Sequence, residues 1–221
     1  MPENFIRSFV RRNGRIGPGQ ARHLRETLPK IEIPFSESQI DLNAVFGREN
    51  PKIMEIGFGM GDATAQMARE SPDSDFWAID VYLAGAGALA KLVAENGISN
   101  VKITIADAVE ILQKMVPPES LNGVNIFFPD PWHKKRHHKR RLIQPPFVDL
   151  LCSRLKNGAI LHAATDWEEY ALEMLAIFEA NPNLKNRYEN FANRENRPMS
   201  KFEVRGLKLN HGVWDLIFEK K

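Results

Sequence analysis

The sequence predicts an α/β fold: a doubly wound, mostly parallel sheet with a C-terminal antiparallel hairpin. Three observations carry that expectation. From Pro51 onward short apolar runs alternate with helical periodicity through five strands, the pattern of a parallel sheet. Several of those strands close on an acid or on glycines, as ligand-facing strand ends do. Beyond Lys201 the period switches to two around Asn210-His211-Gly212, as in a hairpin.

Taken in order, residues 1–30 carry seven Lys/Arg against two Glu, are broken by Gly14, Gly17, Pro18 and Gly19, and show little periodicity. They read as a basic, mobile arm, and residues 31–221 as a single domain. Lys52–Ile56 is a short strand running into Gly57-Phe58-Gly59-Met60-Gly61, and Asp62 can cap a helix reaching Glu70. Asp75–Asp80 is the second strand, with a helix over residues 87–96. Residues 100–106 alternate as a third strand closed by Asp107, before a helix over Ala108–Met115. Val124–Phe128 is the fourth strand, and Pro145 suits the first turn of a helix to about Leu155. Asn157–Ala164 is the fifth strand, and Asp166 opens an amphipathic helix to about Ala180. Lys201–Leu209 and Val213–Glu219 form the hairpin.

With 221 residues, 43% of them apolar and 26% charged, the chain can build a substantial core. Cys152, the sole cysteine, sits among Val148, Leu150, Leu151 and Leu155 and reads as core, which leaves no disulfide framework and no thiolate zinc cluster. No stretch is apolar enough to span a bilayer, so no membrane partner is expected and the expected location is the cytoplasm. The net charge is only +2, yet residues 1–30 and 127–141 are both strongly basic, leaving the remainder acidic. Two basic zones on an acidic body point to an anionic partner at one face.

Glu55, Asp80, Asp107, Asp130 and Asp166 all fall at or just past strand ends, where such sheets bind ligands. The glycines are spaced G-x-G-x-G, and Asp62 stands where a dinucleotide fold has its third glycine. A carboxylate there would repel a pyrophosphate. Asp80, placed to accept from ribose hydroxyls, and the other acids suit an adenosine without phosphates and with positive charge; S-adenosylmethionine fits.

Phe127 to Arg141 reads FFPDPWHKKRHHKRR. Pro129 and Pro131 stiffen the backbone on either side of Asp130, an aromatic ring follows at Trp132, and then come six Lys/Arg and three His. A fixed acid, a flat ring and a dense cationic run suit chemistry on a nucleic-acid base. Trp132 could stack on a flipped base or lie under the turn. His133, His137 and His138 share the loop with six cations, so no metal site is expected.

Glu55 to Gly61, Phe127 to Arg141, Thr165-Asp166-Trp167 and Ser200-Lys201-Phe202-Glu203 together resemble the bacterial tRNA (guanine-N7-)-methyltransferase family. The resemblance runs from about Pro51 to the C-terminus, and its most specific part is Phe127–Arg141. It implies a Rossmann-like class I methyltransferase fold and methyl transfer from S-adenosylmethionine to N7 of a guanosine in the tRNA variable loop, position 46. By motif position, cofactor contacts fall on Glu55, Gly57, Gly59, Gly61, Asp80, Asp107 and Asp130. Substrate contacts fall on Lys134, Asp166, Ser200, Lys201, Phe202 and Glu203. Two residues depart from the family pattern: Asp80 stands where relatives often have Glu, and Ser200 where they often have Thr.

Guanine N7 carries a lone pair and no proton, so its methylation needs alignment rather than a base. The product base is cationic, which makes Asp130 the expected catalytic carboxylate, acting by orientation and charge stabilisation. Arg136, His137, His138, Lys139, Arg140 and Arg141 are expected to bind the RNA backbone, with tRNA as partner. Capping of helices is the rival role for Asp107, Asp166 and Ser200–Glu203. Two rival activities remain at this level: methylation of an exocyclic amine on another RNA base, and RNA binding without catalysis on the same fold. Association with copies of itself is left open.

Overall fold

Alternating side chains give one sheet two covered faces. On β2 (Asp75–Asp80), Phe76 and Ala78 enter an apolar cluster with Leu89 and Ile103. Trp77 and Ile79 enter a second cluster with Met54, Val124 and Leu161. Burial on both sides is what a parallel sheet needs. The computed structural model describes residues 6–9, 14–193, 197–199, 203 and 212–221.

Three helices, α1 (Pro18–Glu26), α2 (Leu28–Ile31) and α3 (Leu42–Phe46), precede β1 (Lys52–Ile56). Then come α4 (Asp62–Glu70), β2, α5 (Leu83–Glu95), β3 (Val101–Ile105), α6 (Ala108–Lys114) and β4 (Leu121–Phe127). A 3-10 helix (Lys135–Arg140) is followed by α7 (Pro145–Cys152), β5 (Leu155–Thr165), α8 (Glu168–Ala180), β6 (Leu184–Asn186) and β7 (Trp214–Lys220). The strands form a seven-stranded sheet in the order β3-β2-β1-β4-β5-β7-β6. Winding reverses between β1 and β4, which pair in parallel with Ile56 opposite Ile126. The carboxyl ends of these two strands therefore flank the crevice where such folds bind ligands.

The terminal antiparallel pairing is present. β7 lies between β5 and β6 and runs against both. Within Lys201–Leu209, expected as the other hairpin strand, only Glu203 belongs to the described residues, and it is helical. β6, three residues long, is too short to carry a period.

Part of the segment read as an arm is helical. α1 starts with Pro18 after Gly17, and the glycines on either side of that proline hide the start in sequence. It packs on α5, with Gln20 Nε2 donating to the Ala84 carbonyl at 3.1 Å. Helix α5 itself begins four residues before Gly87, and Gly85 in its first turn, which hides that start in sequence, is required by packing: a Cβ there would stand 2.0 Å from the Gly59 carbonyl oxygen. No helix among the described residues is long and apolar enough to cross a membrane.

At the amino end of the sheet, Asp75 is fully buried and neutralised. Arg48 Nε donates to its Oδ1 at 2.6 Å, and Lys52 Nζ lies 3.1 Å from Oδ2.

Candidate active site

The glycine turn after β1 is forced by backbone geometry. Gly57, Gly59 and Gly61 have φ of +81°, +58° and +78°, a region that disfavours side chains. A Cβ on Gly57 or Gly59 would meet nothing within 4 Å, so the turn opens onto free space. Asp80 at the end of β2 ties this turn down: its Oδ2 accepts from Gly59 N at 2.9 Å, and its Oδ1 from Val81 N at 2.7 Å and Tyr82 N at 3.0 Å. Beneath it Glu55 is buried and accepts from Thr64 Oγ1 at 2.6 Å.

These acids titrate upward. Burial pushes Glu55 up to about 7, with Asp80 adding to the rise and the Thr64 hydroxyl opposing it. Burial also raises Asp80 in spite of its three backbone amides. Asp107 is raised by burial, offset in part by the Val109 amide and the Arg7 guanidinium. Among the described residues neither Glu55 nor Asp80 has a cationic partner. Buried acids without a counter-charge suit a ligand that brings positive charge and hydroxyl donors. S-adenosylmethionine has both, so the residues present fit it. Asp107 lines a cavity of about 250 Å³ together with the apolar Val109, Leu142 and Phe147 and the cationic Arg7, Lys139 and Arg141.

Across the crevice the end of β4 turns through Pro129-Asp130-Pro131-Trp132. Phe128 and Trp132, on either side, have φ of +53° and +48°. Non-glycine residues held there cost roughly 1–2 kcal/mol each. The exposed Asp130 accepts from Trp132 N at 3.0 Å. Trp132 acts as a brace: its indole N–H donates to the Ser8 carbonyl at 3.1 Å, and the Arg140 guanidinium lies 5.0 Å from its ring.

A 3-10 helix repeats every three residues, and that sorts the basic loop into rows. His137 and Arg140 pack against Trp132. His138 continues to Arg141 and faces Glu169. Arg136 and Lys139 face solvent, as do Lys134 and Lys135. His137 is pushed down by burial and then by Arg136, Arg140, Lys134 and Lys139, so it is neutral at neutral pH and adds no charge.

Two expectations need correction. Arg141, expected on RNA, has a fully buried side chain: Nε donates to the Pro131 carbonyl at 2.9 Å, and the other nitrogens meet Glu173, Glu169 and His138. The guanidinium occupies the space among His138, Glu169 and Glu173, a grouping with metal-ligand geometry. Glu203, expected on substrate, is also buried, and Arg197 grips its carboxylate with two nitrogens. Both residues look cationic or anionic surface groups in sequence because pairing across distant segments leaves no local mark.

The capping question divides. Asp107 does cap α6, accepting from Val109 N at 2.9 Å. Asp166 does not cap α8: Trp167 holds the cap position, Thr165 Oγ1 accepts its N–H at 3.2 Å, and the Asp166 carboxylate has no hydrogen-bond partner among the described residues. Lys134 is exposed at the start of the basic loop. Ser200, Lys201 and Phe202 lie outside the described residues. Sequence reasoning missed Thr64, Arg197 and the exposed Trp167, whose ring meets His133 edge-on at 4.3 Å. Only Trp167 had a signal, its place next to Asp166.

Comparison with known proteins places the chain in a family. The model of a family described as "Putative methyltransferase" matches residues 49–216. The tRNA (guanine-N(7)-)-methyltransferase of Paraburkholderia xenovorans is 57% identical over 98% of this chain and 84% of its own length. The enzyme of the same name from Aromatoleum aromaticum is 58% identical with the same coverage. Among solved structures, a 30S ribosomal A1408 methyltransferase from an uncultured bacterium superposes with a TM-score of 0.56 at 16% identity, covering 83% of this chain and 96% of that one. The 16S rRNA methyltransferase KamB gives 0.56 at 11% identity, over 94% and 96%. At such identities these two structures speak for the fold alone.

Proposed function

The chain belongs to the tRNA (guanine-N(7)-)-methyltransferase family, and we propose that its target is the guanosine at position 46 in the tRNA variable loop. The enzyme depends on S-adenosylmethionine, which supplies the methyl group from its sulfonium. The reading assigns Glu55 and Asp80, with the open turn at Gly57, Gly59 and Gly61, to holding the cationic and ribose parts of that cofactor. Asp107 and the cavity beside it would take the flat base.

Asp130 follows the carboxyl end of β4, and β4 pairs in parallel with β1, whose end leads into the glycine turn. Guanine N7 offers a lone pair with no proton to remove, so Asp130 needs only to orient the base and stabilise the positive charge that develops on it. Asp166, without a helix to cap, is assigned to the N1–H and exocyclic amine of guanine. Lys134 and the Ser200–Phe202 segment complete the base site in this reading, while Arg136 and Lys139 hold phosphates. The work belongs to the cytoplasm.

The single observation that carries this reading is the pair of acids without a cationic partner among the described residues, buried Glu55 and half-buried Asp80, at the carboxyl ends of β1 and β2. Nucleoside mass spectrometry after incubation with unmodified tRNA and cofactor tests it. The expected product is 7-methylguanosine, lost when position 46 is changed to adenosine. A product methylated on an exocyclic amine, or no product, would overturn the assignment.

A further inference from the structure

Arg197 belongs to none of the motifs above, yet it occupies the centre of a buried ionic cluster. Its side chain is 2% exposed. Two nitrogens grip Glu203; Nε and Nη2 also donate to the two carboxylate oxygens of Asp215 on β7, at 2.7 and 3.1 Å. Asp215 Oδ1 is in turn 2.7 Å from His162 Nε2 on β5. The flat guanidinium lies 5.4 Å from the ring centre of Phe127 and 5.0 Å from that of Phe128. His162 closes the circle, edge-on to Phe127 at 5.0 Å.

Phe128 is where this cluster meets the chemistry. It holds a left-handed φ of +53° immediately before a proline, a position biased toward extended backbone. Such a conformation persists only where its surroundings over-determine it. Here one restraint is the bond from Phe128 N to the Ala164 carbonyl at 2.8 Å, and the other is Arg197 against the ring. At the far end of the same turn, Arg141 Nε holds the Pro131 carbonyl. Two buried guanidinium groups thus restrain the turn that carries Asp130, one on each side.

We propose that Arg197 is a positioning residue for methyl transfer: it clamps Phe127 and Phe128 to the β5–β7 pair and so fixes the turn on which Asp130 is presented. Lysine cannot replace it, because an ammonium lacks the flat fork that reaches two carboxylates and two rings together. The proposal rests on Asp130 acting at the transfer step.

The test uses the full chain with Arg197→Lys, Phe128→Leu and both together. Single-turnover transfer at saturating tRNA and cofactor should fall about tenfold or more in each single variant. The dissociation constant for cofactor should stay within about twofold, since Glu55 and Asp80 make no contact with the clamp. The double variant should be no slower than Arg197→Lys alone, because both changes open one contact. Phe128→Leu leaves every ion pair in place, so it carries the test if Arg197→Lys does not fold. Wild-type transfer rates in Phe128→Leu, or additive losses in the double variant, would overturn the clamp. A wild-type protein that transfers no methyl group to tRNA would instead defeat the functional reading itself.

Discussion

The two ends of the sheet treat a buried carboxylate in opposite ways. At the amino end Asp75 is fully buried and meets Lys52 and Arg48. At the carboxyl end Glu55 is buried to nearly the same degree and, among the described residues, meets only a hydroxyl, while Asp80 meets only backbone amides. A charge that the fold neutralises for itself serves the fold. One left to desolvation, with its pKa raised, is poised for a charge that arrives from outside. The cations divide in the same way: Arg141 is shut in with Glu169 and Glu173, whereas Arg136 and Lys139 face water.

The largest effect expected from this contrast is on stability. Asp75→Asn leaves the buried Lys52 and the partly exposed Arg48 without their anion and should cost about 3–5 kcal/mol. Denaturant melts would read it, while transfer per folded molecule stays at the wild-type rate. A harmless Asp75→Asn would erase the contrast.

Glu55→Gln should act in the opposite direction. The Glu55 pKa in the folded chain, about 7, lies above its ordinary 4.5. The folded state therefore holds that proton more tightly, and the stability this gives is full below pH 4.5 and lost as pH rises through 7. Above that pH the ionised carboxylate costs the cofactor-free protein roughly 3 kcal/mol, which the Gln variant escapes. Melting curves from pH 5 to 8 should fall for the wild type relative to Glu55→Gln, and cofactor should restore only the wild type. Parallel curves would mean that Glu55 is not desolvated.

Asp166→Asn tests an acid exposed enough to be solvated. Since Asp166 makes no cap bond to α8, melting should not move. If the carboxylate accepts from guanine, transfer should lose on the order of 2–4 kcal/mol, because the amide turns donors toward donors. Unchanged transfer would remove Asp166 from the site.

The smallest effect separates the two kinds of cation. Arg136→Ala with Lys139→Ala should flatten the salt dependence of tRNA binding by about 1.4–1.8 units of log K per log salt. Arg141→Ala should lower the melting temperature instead. A salt slope that changes only with Arg141 would reverse the sorting.

Local chemistry made much of this legible. Period, proline and glycine decide strands and turns over a few residues. So β1 and β2 have the bounds read from the sequence, α4 ends at Glu70 as read although Gly61 rather than Asp62 holds its cap position, and the G-x-G-x-G turn with its acids at strand ends pointed to a phosphate-free adenosine ligand. The resemblance in Phe127–Arg141 supplied the base. What the tertiary structure alone decided is which charges are used internally. Arg141 and Arg140 are neighbours in one cationic run, yet one is sealed against α8 and the other lies on Trp132, because a three-residue helical repeat turns them to different faces. Asp107 and Asp166 both open a capping pattern, and only the first caps, since α8 starts one residue later and leaves Trp167 at its cap position. Arg197 reaches Glu203, Asp215, Phe127 and Phe128 across separations that no local period encodes. Pairing between distant segments is settled by how strands and helices stack, and that is a property of the folded chain rather than of any stretch of it.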